Sequence, residues 1–270
     1  MEQVPDANAV PGLSASALRF VRRLANRRGR ELARKFVVEG PQGVEAALKH
    51  PGFVEQVIVD DPDHHRELLA GHDVPIRLAT PAQLKQLSDT VTPQGILAVC
   101  SQFDNRLEDI HAPSLVVICA QVRDPGNAGS IIRSADAFGA DAVVLTEGSV
   151  ELYNPKTVRS TAGSLFNLPI ITGVPLARAA SIARSKGMQV LAADGNGVQL
   201  DALAAQGGLG SPTAWMMGNE AWGIPPEDVE LADLVVAVPM WGAAESLNLS
   251  NAAAICLYQT ASAQRRSYEE

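Results

Sequence analysis

The segment that most constrains the fold is a polar loop near the C-terminus that separates two apolar stretches. Residues 234–238 have the composition of a buried strand, which must stop at Pro239 because proline has no N–H to donate to a sheet. Glycine and polar residues follow as far as residue 248, and residues 249–259 then have an alanine-rich helix pattern. This order is typical of a ligand-binding turn, although an ordinary strand–helix connection with a serine cap has the same composition.

Two earlier segments repeat the order of strand, loop and helix. We define motif 1 as residues 122–139 (VRDPGNAGSIIRSADAFG), motif 2 as residues 216–225 (MMGNEAWGIP) and motif 3 as residues 238–251 (VPMWGAAESLNLSN). Apolar strand candidates lead into all three. Together, in this order and spacing, the motifs resemble the SpoU branch of the SPOUT methyltransferases, the TrmH-like enzymes that methylate ribose 2′-hydroxyls of RNA. The residues that carry this resemblance are Asn127, Arg133, Gly218, Asn219, Glu220, Gly223 and the run Glu245-Ser246-Leu247-Asn248.

Composition places the chain among globular proteins. Of its 270 residues, 46% are hydrophobic and 19% are charged, which disfavours a disordered chain. No apolar run approaches the roughly 20 residues that cross a bilayer, and the N-terminus has no secretory pattern, so we expect a cytoplasmic protein with no membrane partner. Cys100, Cys119 and Cys256 lie far apart in apolar surroundings, which predicts buried reduced thiols and no metal site.

The net charge of −8 conceals a strongly basic segment. Residues 18–35 carry eight Arg and Lys residues against the single acid Glu31. Apolar residues recur within this segment at helical spacing, which predicts one helix with an arginine-rich face. A solvated surface helix would have the same pattern, but beside the methyltransferase motifs we favour RNA contact. The candidate RNA-binding residues here are Arg22, Arg23, Arg27 and Arg28.

The chain divides into two predicted domains. Short helix and strand patterns alternate as far as residue 102 and resemble the small α/β, ribosomal-protein-like substrate-binding domain that precedes many SpoU catalytic domains. Residues 103–113 are predicted to form a linker. Residues 114–270 repeat strand–helix units, which indicates a mostly parallel sheet buried on both faces. We therefore predict an α/β chain with an RNA substrate-binding domain at 1–102 and a SPOUT methyltransferase domain at 114–270.

The cofactor is inferred partly by exclusion. The chain has neither a G-x-G-x-x-G turn after the first strand of the second domain nor a phosphate-binding loop that ends in Gly-Lys-Ser or Gly-Lys-Thr. The SpoU resemblance instead implies S-adenosylmethionine, held in a deep trefoil knot. By the same resemblance, a side chain at Gly218 would collide with the bound ligand. The implied cofactor-binding residues are Met217, Gly218, Val238, Met240 and Leu247.

The resemblance also implies the catalytic residues. Arg133 would be the central group, and Asn127, Glu220, Ser246 and Asn248 would complete a polar wall. A guanidinium keeps its proton far above neutral pH, so holding a phosphate or stabilising an alkoxide is physically easier for Arg133 than acting as a base. The sequence leaves the choice between base and electrostatic role open.

A fourth segment with a family-like pattern begins at Asn154. Asn154 and Pro155 predict a capped helix that would present Arg159 to RNA phosphates, although an ordinary capped helix explains both residues equally well. Trp222, in motif 2, could stack on a nucleobase or the adenine, or simply pack within the fold.

The resulting prediction is an S-adenosylmethionine-dependent RNA 2′-O-ribose methyltransferase that acts on rRNA or tRNA. The N-terminal domain favours rRNA, and the resemblance implies a homodimer with composite sites. This architecture also occurs in the thiostrepton-resistance methyltransferases, so the sequence leaves open a housekeeping or a resistance role and does not name the modified nucleotide. The alternative function is a non-catalytic RNA-binding or assembly protein on the same fold. A small-molecule methyltransferase would leave the arginine-rich segment without a role.

Overall fold

The structure is a computed structural model that describes residues 10–50 and 52–266. The chain forms two units. Unit 1 contains the described residues up to Phe103 together with Tyr153–Phe166, and unit 2 contains Asp104–Leu152 together with the described residues from Asn167 onward. In chain order the elements are α1 Ala15–Arg23, α2 Arg27–Ala33, β1 Lys35–Glu39, α3 Pro41–Leu48, β2 Val54–Val59, α4 Arg66–Leu69, β3 Ile76–Leu78, α5 Pro81–Leu87, β4 Ile96–Ser101, β5 Leu115–Cys119, α6 Pro125–Phe138, β6 Ala142–Thr146, α7 Pro155–Ser160, β7 Ile170–Val174, α8 Leu176–Ser185, β8 Gln189–Gln199, α9 Leu200–Ala205, β9 Thr213–Met217, α10 Pro226–Val229, β10 Leu234–Ala237 and α11 Leu249–Arg266.

The sheet of unit 1 has the order β1-β4-β2-β3 within the described residues. Strand β4 pairs antiparallel with both of its neighbours, and β2 pairs parallel with the edge strand β3. Helices α1 and α5 cover one apolar face, where Val21 and Leu24 pack with Leu84 and Ile58. The alternation of short strands and helices predicted for this part of the chain is therefore confirmed.

The arginine-rich segment forms two helices, α1 and α2, and the first residue of β1. The predicted helix with an arginine-rich face corresponds to α1, which ends at Arg23 and so covers only the first part of the segment. The chain turns between α1 and α2, where the side chain of Asn26 accepts a hydrogen bond from the Gly29 N–H at 2.8 Å. A Cβ on Gly29 would lie 1.9 Å from the Arg23 carbonyl oxygen, so this close turn requires glycine. The buried Arg30 guanidinium donates to two carbonyl oxygens of the turn, each at 2.9 Å. The chain therefore turns between Arg23 and Arg27, although apolar residues continue at helical spacing as far as Ala25.

An aromatic cluster binds the segment Tyr153–Phe166 to unit 1. The ring of Phe36, which is fully buried, lies 4.6 Å from the ring of Tyr153 and 6.2 Å from that of Phe166. The Tyr153 hydroxyl accepts from the Phe103 N–H at 3.0 Å and donates to the Phe103 carbonyl at 2.8 Å. These contacts explain why a segment that follows β6 of unit 2 belongs to unit 1.

Unit 2 has six strands among its described residues, in the order β10-β8-β9-β5-β6-β7, and every pair is parallel. All residues of β5, β6 and β9 are buried, as expected for a sheet covered on both faces. The prediction of an α/β fold with a mostly parallel sheet is confirmed. The trefoil knot stays a prediction.

Unit 2 begins within the region predicted as a linker. Residues Leu107–Asp109 form a 3-10 turn, and Leu107 is buried in the same apolar core as Val116 and Ala142. Among the described residues, no helix has both the length and the apolar character to span a membrane.

The three cysteines are free and buried, which confirms the predicted state of the thiols. Burial raises the pKa of the Cys119 and Cys256 thiols to about 12, so both stay protonated near neutral pH.

A buried hydrogen bond joins β9 to α11. The indole N–H of Trp215 donates to the Thr260 hydroxyl oxygen at 2.9 Å, and that hydroxyl donates to the Cys256 carbonyl at 2.9 Å. Both Trp215 and Thr260 have no exposed surface, so water cannot replace either bond.

Replacing Thr260 by valine should lower the free energy of unfolding by about 1–3 kcal/mol, because the buried indole N–H loses its acceptor. Urea unfolding followed by tryptophan fluorescence measures the change. Thr260→Ser keeps the acceptor and should cost only about 0.8 kcal/mol for the lost methyl group. A valine variant as stable as the natural protein would contradict this role of the hydroxyl.

Candidate active site

The three motifs meet at the carboxyl edge of the parallel sheet in unit 2. Motif 1 follows β5, motif 2 follows β9 and motif 3 follows β10. Strand β9 lies directly between β5 and β8, which makes motifs 1 and 2 neighbours although about 90 residues separate them. In open α/β sheets, ligands bind outside the carboxyl ends of the strands. The order of the strands therefore places all three motifs where a ligand site is expected.

The Glu220 carboxylate connects motif 2 to the start of α6. Its Oε2 accepts from the Arg123 N–H at 3.2 Å, and its Oε1 accepts from the Asp124 N–H at 3.1 Å and the Asn127 side-chain amide at 3.2 Å. Desolvation raises the pKa of Glu220, but its own backbone N–H and the donors from Arg123, Asn127 and Asp124 outweigh that effect and hold the pKa below its ordinary value. Glu220 is therefore ionised at neutral pH.

Motif 3 joins this network through Asn248. The Asn248 amide donates to the Asn127 side-chain oxygen at 2.9 Å, so Asn127 bridges Glu220 and Asn248. The side-chain oxygen of Asn248 accepts from the backbone N–H and the hydroxyl of Ser250, at 2.9 and 2.7 Å, beside the start of α11. Three of the five predicted catalytic residues thus form one hydrogen-bonded chain.

Asn219 closes the turn of motif 2. It is buried, donates through its side chain to the Gln121 carbonyl at 2.7 Å and accepts from the Ala221 N–H at 2.9 Å. Its backbone exchanges two hydrogen bonds with Gly223, at 2.8 and 2.9 Å. A Cβ on Gly218 would lie 2.5 Å from the Gly223 carbonyl carbon. A side chain at position 218 would therefore collide within the turn itself. The predicted clash with bound ligand stays a prediction.

Arg133 and Ser246 lie outside the hydrogen-bonded chain. Both are exposed, and within the described residues neither side chain forms a hydrogen bond or ion pair. Six residues separate Arg133 from Asn127, which places their side chains about 120° apart around α6. Arg133 does not reach the Asn127 amide within one chain.

The predicted cofactor residues lie along motifs 2 and 3. Met217 ends β9 and is fully buried with Gly218, Val238 is half-buried, and Met240 and Leu247 are exposed. All residues from Met240 to Asn248 are exposed, and Trp241 has 88% of its surface accessible. Motif 3 therefore presents apolar side chains and backbone to the outside of unit 2.

Residues that sequence reasoning missed also belong to this edge of the sheet. Asp124 caps α6 by accepting the Asn127 N–H at 2.8 Å, and Asp followed by Pro125 is a helix-start signal that could have identified it. The guanidinium of Arg123 lies 4.9 Å from the ring centroid of Trp222, a residue that is 49% exposed. The sequence pattern does not indicate that Arg123 and Trp222 are in contact.

The predicted RNA-binding residues lie in unit 1. Arg22, Arg23, Arg27 and Arg28 are all exposed, and Arg27 pairs with Glu31 at 2.7 Å. The predicted capped helix is confirmed: the Asn154 side chain accepts the Lys156 N–H at 2.9 Å at the start of α7. On α7, Arg159 pairs with Asp89 at 3.3 Å, and both residues belong to unit 1.

Comparison with known proteins gives family matches for both parts of the chain. Residues 114–258 match the model of the SpoU rRNA Methylase family, and residues 16–98 match that of the MRM3-like substrate binding domain. The chain is 35% identical to 23S rRNA (guanosine(2553)-2′-O)-methyltransferase RlmP of Bacillus subtilis, over 88% of this chain and 92% of that protein. It is 31% identical to a 23S rRNA (uridine(2479)-2′-O)-methyltransferase of Streptomyces viridochromogenes, over 96% and 93% of the two chains.

Solved structures agree with these matches. The SpoU methyltransferase AviRb from Streptomyces viridochromogenes, in complex with the cofactor AdoMet, superposes with a TM-score of 0.81 at 29% identity and covers 94% of this chain and 99% of its own. An AdoMet-bound rRNA methyltransferase from Sinorhizobium meliloti superposes with a TM-score of 0.80 at 28% identity, over 95% and 97% of the two chains.

Replacing Glu220 by glutamine should destabilise unit 2 at neutral pH, because the amide places N–H donors against donors that now bind a carboxylate. The folded-state pKa of Glu220 is lowered, so the carboxylate contributes stability above its ordinary value of 4.5 and loses it as the pH falls through the lowered pKa. The difference in thermal midpoint between the natural protein and Glu220→Gln should therefore shrink as the pH falls through the lowered pKa of Glu220.

Glu227→Gln, an exposed carboxylate on α10, is the matched control and should leave the midpoint unchanged at every pH. A Glu220→Gln difference that stays constant into acid would show that the charge of Glu220 is not what holds the motifs together.

Proposed function

Because the chain belongs to the SpoU rRNA methylase family, we propose that it transfers a methyl group from S-adenosylmethionine to a ribose 2′-hydroxyl of ribosomal RNA. The observation that carries this proposal is the hydrogen-bonded chain Glu220–Asn127–Asn248, which draws the three motifs into one site at the carboxyl edge of the sheet. The named relatives act on 23S rRNA and align over most of both chains, which favours rRNA over tRNA.

Motif 3 has the character of a surface that binds S-adenosylmethionine. From Pro239 to Leu247, no backbone hydrogen bond to another backbone group occurs within the described residues, so peptide groups there can bind the edge of an adenine. The exposed side chains of Met240 and Leu247 offer apolar contact to its faces. With Met217, Gly218 and Val238 they would hold the cofactor, which supplies an electrophilic methyl group when bound.

The residues of the network position the reaction. Glu220 is ionised and its oxygens accept three hydrogen bonds, so its role is to fix motif 2 against α6 and not to donate a proton. Asn127 and Asn248 orient each other's amides beside it. Arg133 keeps its charge and would hold a substrate phosphate or stabilise the developing alkoxide, and Ser246 would extend the polar wall.

A homodimer would explain the position of Arg133. Its side chain is directed about 120° away from Asn127 around α6, where it can serve the site of a second copy. An exposed ring elsewhere on unit 2 offers apolar contact to such a copy: Tyr258 on α11 is 56% exposed, and its ring packs edge-on against Phe138 of α6 at 5.7 Å. The cytoplasmic location remains a prediction.

Replacing Arg133 by alanine should lower methyl transfer about 100-fold or more, because a charge that stabilises the transition state is lost. Transfer of tritiated methyl groups to 23S rRNA measures this rate. Binding of S-adenosylmethionine by calorimetry should be unchanged, since Arg133 lies outside motifs 2 and 3. The control is Arg178→Ala. Arg178 lies exposed on α8 and pairs with Glu108, and this variant should retain the natural rate.

Label at the natural rate in Arg133→Ala would refute the role of this guanidinium. RNA binding by the natural protein without any label would favour the alternative function, a non-catalytic RNA-binding or assembly protein.

Composite sites predict that two inactive variants rescue each other. Arg133→Ala and Asn248→Ala should each be nearly inactive, but co-expression should restore about a quarter of the natural activity, because half of the dimers are mixed and each mixed dimer has one intact site. Co-expressed variants that stay as inactive as either one alone would show that each site is built from one chain.

A further inference from the structure

A cavity in unit 1 is lined by residues outside the three motifs and has a different chemical character from the motif network. Its volume is about 330 Å³, and we call it the unit 1 pocket. Its walls are the start of α3, the loop between α5 and β4, and the segment from α7 to Phe166. All of its lining residues belong to unit 1.

One wall of the pocket is held in place by Glu39. Its carboxylate accepts hydrogen bonds from the Thr90 hydroxyl at 2.6 Å, the Asp89 N–H at 3.2 Å and the Ser88 hydroxyl. Asp89 in turn pairs with Arg159 of α7. The loop between α5 and β4 is therefore held by hydrogen bonds within unit 1, and three donors already occupy the Glu39 carboxylate.

The opposite wall depends on a glycine. Gly40 has φ +86°, a conformation that favours glycine, and a Cβ there would lie 2.6 Å from the side-chain oxygen of Gln94. Because Gly40 has no side chain, Gln94 can lie across the pocket. The apolar floor consists of Val38, Val158 and Phe166, all buried.

The pocket also offers neutral groups that are free to bind a ligand. Among the described residues, the side chains of Gln42, Thr92 and Gln94 form no hydrogen bond with protein, and all three are exposed. Two amides and a hydroxyl above an apolar floor match a flat, uncharged ring with donors and acceptors on its edge. Unstacked RNA bases are recognised in this way, by hydrogen bonds to their edges and apolar contact to their faces.

We propose that the unit 1 pocket binds an unstacked nucleobase of the RNA substrate, at a nucleotide other than the one that is methylated. This inference rests on the proposed RNA substrate. Arg159 supports RNA over a free base, because its guanidinium is partly exposed at the rim and keeps N–H donors beyond the one used with Asp89. Those donors are placed to bind the phosphate of the inserted nucleotide.

Gln42→Ala and Gln94→Ala test the pocket in the full-length protein. Each should weaken binding of 23S rRNA fragments about tenfold, measured by fluorescence anisotropy, because a base edge loses its partner. KM for RNA should rise while kcat at saturating RNA and the affinity for S-adenosylmethionine stay unchanged. Gln86→Ala, an exposed glutamine of α5 outside the pocket, is the control and should bind RNA like the natural protein.

Saturation-transfer NMR with the four nucleoside 5′-monophosphates gives a second readout. We expect at least one to bind the natural protein and to lose its signal with Gln94→Ala. RNA affinity equal to that of Gln86→Ala would overturn the proposal, and so would monophosphate binding at Gln94 without any effect on RNA, which would indicate a free nucleotide ligand. If the natural protein binds RNA but transfers no methyl group, the proposed function fails, whereas a loss of RNA affinity in Gln94→Ala still supports the pocket.

Discussion

The site depends on the carboxylate of Glu220, which lies where the loops that follow β5 and β9 meet. Strand β9 inserts next to β5, so the turn that follows each strand emerges at the same edge of the sheet. Glu220 uses this proximity to bind two backbone N–H groups that precede α6 and the amide of Asn127. Asn127 can then hold Asn248 of motif 3, which comes from an edge strand of the same sheet. Without the charge of Glu220, the three motifs would lose the group that holds them together.

Two kinds of surface in unit 1 divide the work of binding RNA in the proposed function. The exposed arginines of α1 and α2 carry positive charge, which suits phosphates of any sequence. In the unit 1 pocket, Glu39 already accepts three hydrogen bonds and Arg159 pairs with Asp89. These contacts hold the frame in which the pocket offers amides and a hydroxyl. Contacts of the first kind position an RNA, and contacts of the second kind distinguish one base from another.

Much of this was predictable from the sequence, and the exceptions have physical causes. Strands such as Val54–Val59 and helices such as Pro81–Leu87 follow local patterns and lie where those patterns place them. The arginine-rich segment divides into two helices because Asn26 offers a cap and Gly29 a close turn, which apolar spacing does not indicate. The bond between Glu220 and Asn127 spans 93 positions, so only the family resemblance pointed to it. The role proposed for Arg133 depends on a second chain and leaves no trace in the spacing.

No single break in the chain separates unit 1 from unit 2. After β6 the backbone leaves unit 2, adds Tyr153–Phe166 to unit 1 and then returns. A fragment that stopped at residue 103 would lack two aromatic rings that enclose Phe36, a side chain with no exposed surface in the whole protein. Aromatic side chains bury about 150–250 Å² each, so unit 1 without these two rings would expose an apolar patch to solvent. Unit 1 therefore needs the segment Tyr153–Phe166, which follows β6 of unit 2 in the sequence, to complete the aromatic cluster around Phe36.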